Sequence, residues 1–246
     1  MRYAGVTLRA PHAIIFDLDG TLVDSRADIA AAVNHALRAG GKGELPEATI
    51  AGFVGDGSHR LLARAFGEGA TSSEVDEAFA SFSLYYASHA AVHTRWMPGA
   101  REVLEALRPM PVAIATNKPR AATMPLLDAL GATSWFARVV CGGEGPALKP
   151  NPAPILLALA PTHVAPKDAW VVGDGVQDID AARAAGAMSV AVLGGFTPEE
   201  TLRTSHPDAV IATLAELLPL IARSHPASPH SGPLPPFSRT RERGRG

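Results

Sequence analysis

Short apolar runs recur along the chain, and segments with apolar residues at helical spacing lie between them. Each run is nearly continuous, which is typical of a strand buried on both faces of a parallel sheet. The predicted strands are residues 13–16, 112–115, 139–141, 169–172, 189–193 and 209–212. The predicted helices between them are residues 100–107, 121–130, 153–159 and 179–185. This alternation predicts an α/β fold with a parallel sheet covered by helices on both faces.

One long segment between the first two predicted strands interrupts the alternation. It contains no strand pattern, and three helical patterns follow one another at residues 26–39, 58–66 and 72–91. We therefore predict a core made of residues 1–23 and 93–223, with a helical cap, residues 24–92, inserted after the first strand. An insert at this place is well positioned to act as a lid. A helical appendage that only stabilises the core is the alternative.

The last segment, residues 224–246, differs in composition from the rest of the chain. It is rich in Pro, Ser and Gly and ends in a run that contains several arginines. Such a segment buries too little apolar surface to offset the entropy of ordering it. We predict a disordered tail with solvated arginines and no function of its own.

Composition and charge narrow the class of protein. A chain of 246 residues with 47% hydrophobic residues can hold one α/β core and a smaller insert. The net charge of −2 gives no basic surface for nucleic acid. The single cysteine, Cys141, ends an apolar run, so we predict a core residue and no disulfide. No apolar run is long enough for a membrane span, and the first residues lack a signal-peptide pattern, so we expect a cytoplasmic protein. The oligomeric state is not readable from the sequence.

Four acidic residues follow two of the predicted strands. Asp17 and Asp19 come directly after the first strand, and Asp174 and Asp178 follow the strand at 169–172. The ends of strands in an open α/β sheet are where such proteins bind ligands. Carboxylates that converge there would repel one another unless a cation joined them, and oxygen ligands favour Mg²⁺. For Asp178 an alternative is a helix N-cap or a group that supports the metal ligands.

The spacing of Asp17 and Asp19 suits a two-step phosphoryl transfer. Asp17 is a candidate nucleophile that would form an acyl-phosphate, and Asp19 is a candidate acid that protonates the leaving oxygen and then activates water. Two aspartates that merely cap a turn are the alternative.

Two further segments carry candidate phosphate ligands. Thr116 and Asn117 end the strand at 112–115, where a hydroxyl and backbone N–H groups can hold phosphate oxygens. An ordinary strand-to-helix turn is the alternative there. Lys149 lies in a loop stiffened by nearby prolines, and its ammonium would balance the acids and bind phosphate.

Taken together, these motifs resemble the haloacid dehalogenase superfamily of phosphotransferases. The resemblance covers residues from about 12 to 223 and rests on the segment Asp17-Leu18-Asp19-Gly20-Thr21, on Thr116, on Lys149, and on Gly173-Asp174 with Asp178. It implies a Rossmann-like catalytic core with a helical cap after the first strand. It also implies that Asp17 is the nucleophile and Asp19 the general acid and base. Thr116 and Lys149 would bind phosphate, and Mg²⁺ would be held by Asp17, Asp174 and the backbone carbonyl of Asp19.

Within the superfamily the chain looks most like bacterial phosphoglycolate phosphatases, on the stretches 24–34, 53–57 and 115–119. The implied reaction converts 2-phosphoglycolate to glycolate and phosphate, so the implied partner is a small phosphorylated metabolite. The chain has Gly55-Asp56-Gly57 where that group commonly has Gly-Asn-Gly, and Gly175 where it commonly has Ser or Thr. A sugar phosphate, a muramic acid phosphate or a nucleotide is therefore an alternative substrate, and a binding protein without catalysis is a further one.

The cap offers candidates for binding the rest of the substrate. They are the loop 55–58 and the neighbouring His59 and Arg60, because glycines allow close backbone approach and an arginine can pair with a carboxylate.

Overall fold

The structure, a computed structural model, describes residues 8–224. Its centre is a six-stranded sheet with the order β5-β4-β1-β6-β7-β8, in which all neighbouring strands are parallel. These strands are β1 (Ala13–Phe16), β4 (Val112–Pro119), β5 (Arg138–Gly142), β6 (Ala169–Gly173), β7 (Met188–Val192) and β8 (Ala209–Ile211). The six predicted strands are all present, and the predicted α/β fold with a parallel sheet is confirmed.

Strand β1 shows why these runs form a buried sheet. Ile14 and Phe16 point into the larger hydrophobic cluster, whereas Ala13 and Ile15 point into a second cluster on the opposite face. Side chains alternate between the faces of a strand, so a strand covered on both sides needs apolar residues at every position. The absence of polar alternation in the sequence follows directly from this double burial.

Helices cover both faces of the sheet. They are α5 (Ala100–Ala106), α6 (Arg120–Ala129), α7 (Ala153–Leu159), α8 (Val176–Ala185), α9 (Glu199–Thr204) and α10 (Leu217–Ser224). Helix α8 ends at Gly186, whose φ of 75° is the left-handed conformation that a glycine adopts without strain. Cys141 is buried, as predicted. Within residues 8–224, no helix combines the length and the apolar character that a membrane span requires.

Four helices follow the first strand and pack against one another. They are α1 (Arg26–Ala39), α2 (Glu47–Ala51), α3 (Ser58–Phe66) and α4 (Ser72–His89), and we refer to them together as the cap helices. Helices α1 and α4 pack against each other, and α4 also contacts α6 of the core. Helix α4 begins with a capping box, in which Thr71 and Glu74 satisfy each other's backbone N–H groups.

Several short elements were not predicted. A two-stranded antiparallel ribbon, β2 (Val23–Asp24) and β3 (Arg95–Trp96), lies where the chain leaves the core and returns to it. Strands of two residues, and helices as short as α2, carry no measurable periodicity, which explains their omission. Helix α10 includes Ser224, which is buried, so the predicted tail boundary at 224 was one residue too early. Residues 225–246, the rest of the predicted tail, lie outside the described residues.

Candidate active site

Three of the predicted site residues lie at the carboxyl ends of three adjacent strands. Asp17 follows β1, Thr116 lies within the last half of β4, and Asp174 follows β6. Strands β4 and β5 follow β1 on one side of it, and the chain then crosses over to β6, β7 and β8 on the other side. This is the switch point of the sheet, where open α/β folds form a crevice for ligands.

Lys149 joins two of the candidate acids from a distant loop. Its Nζ donates to Asp17 Oδ1 at 2.7 Å, to Asp178 Oδ1 at 2.6 Å and to the carbonyl oxygen of Ala115 at 2.6 Å. Burial opposes the charge of Lys149, but the carboxylates of Asp17 and Asp178 outweigh burial, and the pKa of Lys149 is raised. The side chain is therefore a fixed ammonium group at the floor of the site.

Asp174 and Asp178 are held by donors from several segments. Asp174 accepts from Thr21 Oγ1 and from the backbone N–H of Phe196, each at 2.7 Å. Asp178 accepts from the backbone N–H of Gly175 at 3.0 Å in the first turn of α8. The N-cap residue of α8 is Gly175, so the alternative that Asp178 is an N-cap was wrong. Asp178 is the third residue of the helix, and its carboxylate holds the N-cap N–H and Lys149 at the same time, which is the supporting role also expected from the sequence.

The carboxylates of Asp17, Asp174 and Asp178 form a compact group. One oxygen from each lies within 4.8 Å of the others, and all three residues are buried. Burial raises the pKa of Asp17 to about 8, with Lys149 opposing this shift and the neighbouring acids adding to it. Burial and the charge of Asp178 raise the pKa of Asp174 to about 6. Both groups therefore lack part of the positive charge that would stabilise them as carboxylates.

These residues fit a divalent hard cation. The site holds four carboxylates, and the two ammonium groups of Lys118 and Lys149 neutralise only half of their charge. The available ligands are carboxylate and carbonyl oxygens, which is the donor set that Mg²⁺ prefers. A bound divalent cation would supply the missing charge and favour the ionised forms of Asp17 and Asp174.

Asp19 is held by Lys118 and Ser25, for which sequence analysis had indicated no role. Lys118 Nζ lies 2.8 and 3.0 Å from its two carboxylate oxygens, and Ser25 Oγ donates to Oδ1 at 2.6 Å. The same Nζ donates to the hydroxyl of Tyr86 in cap helix α4 at 2.7 Å. Lys118 is one residue from Asn117 in the sequence, but nothing local indicates that it reaches Asp19.

Asn117 and Thr116 differ in what they contact. The side-chain amide of Asn117 donates to the carbonyl of Lys149 at 3.0 Å and accepts from its backbone N–H at 2.8 Å. It also donates to the carbonyl of Gly55 at 2.8 Å, so it ties the Lys149 loop to the cap. Thr116 lines the open site, and its hydroxyl accepts from the N–H of Lys118 at 3.1 Å.

The site opens into a cleft between the core and the cap helices. Asp17, Asp19, Thr116, Asn117, Lys149 and Asp174 line it from the core side. Gly55, Gly57, Ser58 and Tyr86 line it from the cap side, together with apolar side chains of Ile29, Val54, Leu61 and Phe82. The cleft is therefore polar at the strand ends and more apolar toward the cap.

The structure separates the cap candidates. Gly55, Gly57 and Ser58 line the cleft, whereas Asp56 forms an ion pair with Arg64, which compensates its charge within the cap. His59 stacks on Phe79 with the ring centres 3.9 Å apart. Arg60 is exposed and is not among the residues that line the cleft, so the structure does not support its expected contact with a substrate carboxylate.

Gln177 is another cleft residue that the sequence did not indicate. Its side chain lies between Gly55 of the cap and Gly175 of the core, where a Cβ atom would be 2.8 Å and 2.0 Å, respectively, from Gln177 Nε2. The absence of a side chain at Gly175 thus makes room for Gln177, which reaches from the core to the cap side of the cleft.

Comparisons with known proteins agree with this geometry. The chain is 34% identical over 221 residues to the phosphoglycolate phosphatase of Yersinia pestis, covering 88% of this chain and 95% of the relative. It is 37% identical over 219 residues to the phosphoglycolate phosphatase of Nitrosospira multiformis, covering 86% of this chain and 96% of the relative.

A solved structure and a family sequence model also match the chain. The crystal structure of a predicted phosphoglycolate phosphatase from Haemophilus somnus superimposes with a TM-score of 0.79 at 31% identity, covering 85% of this chain and 97% of that one. The sequence model of the haloacid dehalogenase-like hydrolases matches residues 14–192, which is most of the described core and cap. The chain belongs to the haloacid dehalogenase-like hydrolase family.

Proposed function

We propose that this protein is a Mg²⁺-dependent phosphoglycolate phosphatase that works through a phospho-aspartyl intermediate on Asp17. The enzyme class, a phosphoric monoester hydrolase, rests on the family match and on relatives named phosphoglycolate phosphatase. The observation that carries the mechanism is the position of Asp17 at the end of β1, bonded to Lys149 and grouped with Asp174. The proposed nucleophile Asp17, the ammonium of Lys149 and the proposed metal ligand Asp174 thus lie together in the cleft.

The proposed reaction has two steps, formation and hydrolysis of the phospho-aspartyl intermediate. In the first, a carboxylate oxygen of Asp17 attacks phosphorus, and the bond to the ester oxygen breaks while Asp19 protonates that oxygen. In the second, Asp19 takes a proton from water, which attacks phosphorus and releases phosphate from Asp17. Lys149 and the Thr116 hydroxyl would stabilise the phosphoryl oxygens in both steps.

Asp17, Asp174 and the backbone carbonyl of Asp19 are the proposed metal ligands, with Asp178 as a supporting group. Bound Mg²⁺ would neutralise phosphoryl charge and screen it from the attacking carboxylate. Asp178 holds Lys149 at 2.6 Å, which fixes the ammonium beside the nucleophile.

We further propose that residues 24–92 form a separate cap that closes over the substrate. The cap side of the cleft carries Ser58 and Tyr86, which can donate hydrogen bonds to a small polar leaving group. Closure would exclude bulk water from the phospho-enzyme and leave one hydrolytic water.

The test is replacement of the nucleophile. Asp17→Asn should reduce phosphate release from 2-phosphoglycolate by several orders of magnitude while the far-UV circular dichroism spectrum is unchanged. Wild-type protein should lose activity in a metal chelator and regain it with added Mg²⁺. A panel with glucose 6-phosphate, muramic acid 6-phosphate and a nucleoside monophosphate ranks the alternative substrates. Near-normal activity of Asp17→Asn would contradict the mechanism.

A further inference from the structure

Lys118 is the cation of the cleft that the proposed mechanism does not use. Among the described residues lining the cleft, two carry a cationic side chain, Lys118 and Lys149. The Lys149 ammonium is held at 2.6–2.7 Å by Asp17, Asp178 and the carbonyl of Ala115, which places it beside the nucleophile, where the phosphoryl group would bind. The contacts of Lys118 are different: two go to the oxygens of one carboxylate, that of Asp19, and one goes to Tyr86.

The position of Lys118 relative to Asp19 restricts the substrate it can serve. Asp19 must contact the ester oxygen of the substrate in order to protonate it. In a phosphorylated 2-hydroxy acid, one carbon separates that oxygen from a carboxyl carbon, so a carboxylate oxygen lies about 3 Å from the ester oxygen. A cation meant for this carboxylate must therefore lie directly beside Asp19. Lys118 Nζ, 2.8 Å from Asp19 Oδ1, meets this condition.

Tyr86 supplies a second donor at the same point. Its hydroxyl accepts from Lys118, so the phenolic proton remains available for another acceptor. The Lys118 ammonium also lies 4.4 Å from the centre of the Tyr86 ring, which holds it against the cap helix. Asp19 keeps the Ser25 hydroxyl as a donor when one Lys118 contact is released.

We propose that Lys118 and Tyr86 form the site that binds the carboxylate of the substrate, and that this pair selects phosphomonoesters of 2-hydroxy carboxylic acids over neutral esters. The inference rests on the proposed phosphatase function and names the residues that would give it specificity. It replaces Arg60, the arginine expected from the sequence, with a lysine from strand β4 and a tyrosine from helix α4.

Two non-hydrolysable probes test this proposal without turnover. 3-Phosphonopropionate has the length of phosphoglycolate with a methylene group in place of the ester oxygen, and propylphosphonate carries a methyl group in place of the carboxylate. Their dissociation constants would be measured by calorimetry in the presence of Mg²⁺. Wild-type protein should bind the carboxylate probe about tenfold or more tightly than the neutral probe, as expected for a charged hydrogen bond.

Variants of Lys118 and Tyr86 test whether these two residues cause the preference for the carboxylate probe. Lys118→Gln should bring the two dissociation constants within about twofold of each other, and Tyr86→Phe should reduce the preference by roughly threefold to tenfold. Tyr85→Phe is the matched control on the same helix, because Tyr85 stacks on His35 and His89 outside the cleft. This control should keep the wild-type preference.

The outcomes separate this inference from the proposed function. Equal binding of both probes by wild-type protein, or an undiminished preference in Lys118→Gln, would overturn the role of Lys118. If Lys118→Gln does not fold, a crystal structure of wild-type protein with 3-phosphonopropionate decides the question. The carboxylate must then lie within hydrogen-bonding distance of Lys118 Nζ, and a carboxylate bound elsewhere overturns the proposal. Hydrolysis of p-nitrophenyl phosphate tests the phosphatase function independently. Wild-type protein should hydrolyse this neutral ester, and Asp17→Asn should not.

Discussion

At the scale of single residues, proton binding and metal binding compete for the same carboxylates. The pKa of Asp17 is raised by burial from 3.8 to about 8, and that of Asp174 from 3.8 to about 6. Between about pH 4 and 8 the folded metal-free protein therefore holds protons that the unfolded chain has released. The resulting stabilisation is complete below about pH 4 and is lost as the pH rises through these raised values.

The first prediction concerns this competition. In a chelator, the melting temperature should fall between about pH 6 and pH 8 more steeply for wild-type protein than for Asp17→Asn, which lacks the titrating group. Mg²⁺ must displace the bound protons, so its affinity should increase over the same interval. Differential scanning calorimetry and titration calorimetry measure the two effects. A Mg²⁺ affinity that is constant between pH 6 and pH 8 would contradict the assignment.

The second prediction concerns the carboxylate that holds Lys149. Asp178 is fully buried and bonds to both Lys149 and the N–H of Gly175. Asp178→Asn weakens the hydrogen bonds of this buried group but leaves Lys149 paired with Asp17, so it should cost about 1–3 kcal/mol of unfolding free energy. Urea unfolding would measure the loss, and kcat should fall as well because Lys149 loses one of the two carboxylates that hold it.

Asp180 provides the control for this variant. It lies on the same helix, where it pairs with Arg183 on the exposed surface. Surface pairs of this kind contribute little, so Asp180→Asn should leave both stability and kcat nearly unchanged. Equal effects of the two substitutions would mean that the buried network has no special role.

At the scale of elements, buried polar contacts fix the two ends of the cap helices. Asp28 in α1 accepts from the N–H groups of His93 and Thr94 and from the Thr94 hydroxyl at 2.7–3.0 Å. These residues immediately precede β3, so one carboxylate ties the start of α1 to the segment that re-enters the core. Arg26, also in α1, donates to the carbonyl of Gly194 and lies over the Phe196 ring.

The third prediction tests this connection. Asp28→Ala leaves the buried N–H and hydroxyl of Thr94 without their acceptor and should lower the unfolding free energy by about 2–4 kcal/mol. Hydrogen exchange should show the loss first at residues 93–96. Asp76→Ala, at an exposed position of helix α4, is the control and should change little. Unaltered exchange at residues 93–96 in Asp28→Ala would show that other contacts anchor this segment.

At the scale of the whole molecule, the core is closed by helix α10. Leu217, Leu220 and Ile221 are buried, and Ser224 Oγ bonds to the carbonyl of Leu220 at 2.8 Å. The fourth prediction is that truncation after Ser224 leaves kcat/KM within about twofold of the full-length value, because the removed segment contains no motif. A chain that ends after Leu217 is the control and should unfold more easily. A clear loss of activity on the shorter truncation would show that residues 225–246 contact the core or cap.

The sequence alone determined the parallel sheet, the position of the helical segment and the strand ends that carry the acids. This was possible because a doubly buried strand must be apolar at every position, and this constraint is local in the chain. The sequence placed Asp17, Thr116 and Asp174 together because the carboxyl ends of parallel strands all lie on the same side of the sheet. Their chemical roles came from the resemblance to a family, which the comparisons support.

Only the tertiary structure decided which side chains meet across the cleft. Lys118 contacts Asp19 and Tyr86, which are 99 and 32 residues away in the sequence, and Gln177 reaches Gly55. These contacts depend on how α4 and the loop at 55–58 pack against the sheet. That packing is determined by many residues far apart in the chain, which the local pattern of apolar and polar residues does not reveal. For the same reason the sequence favoured Arg60, an exposed residue, over the buried pair that faces the site of reaction.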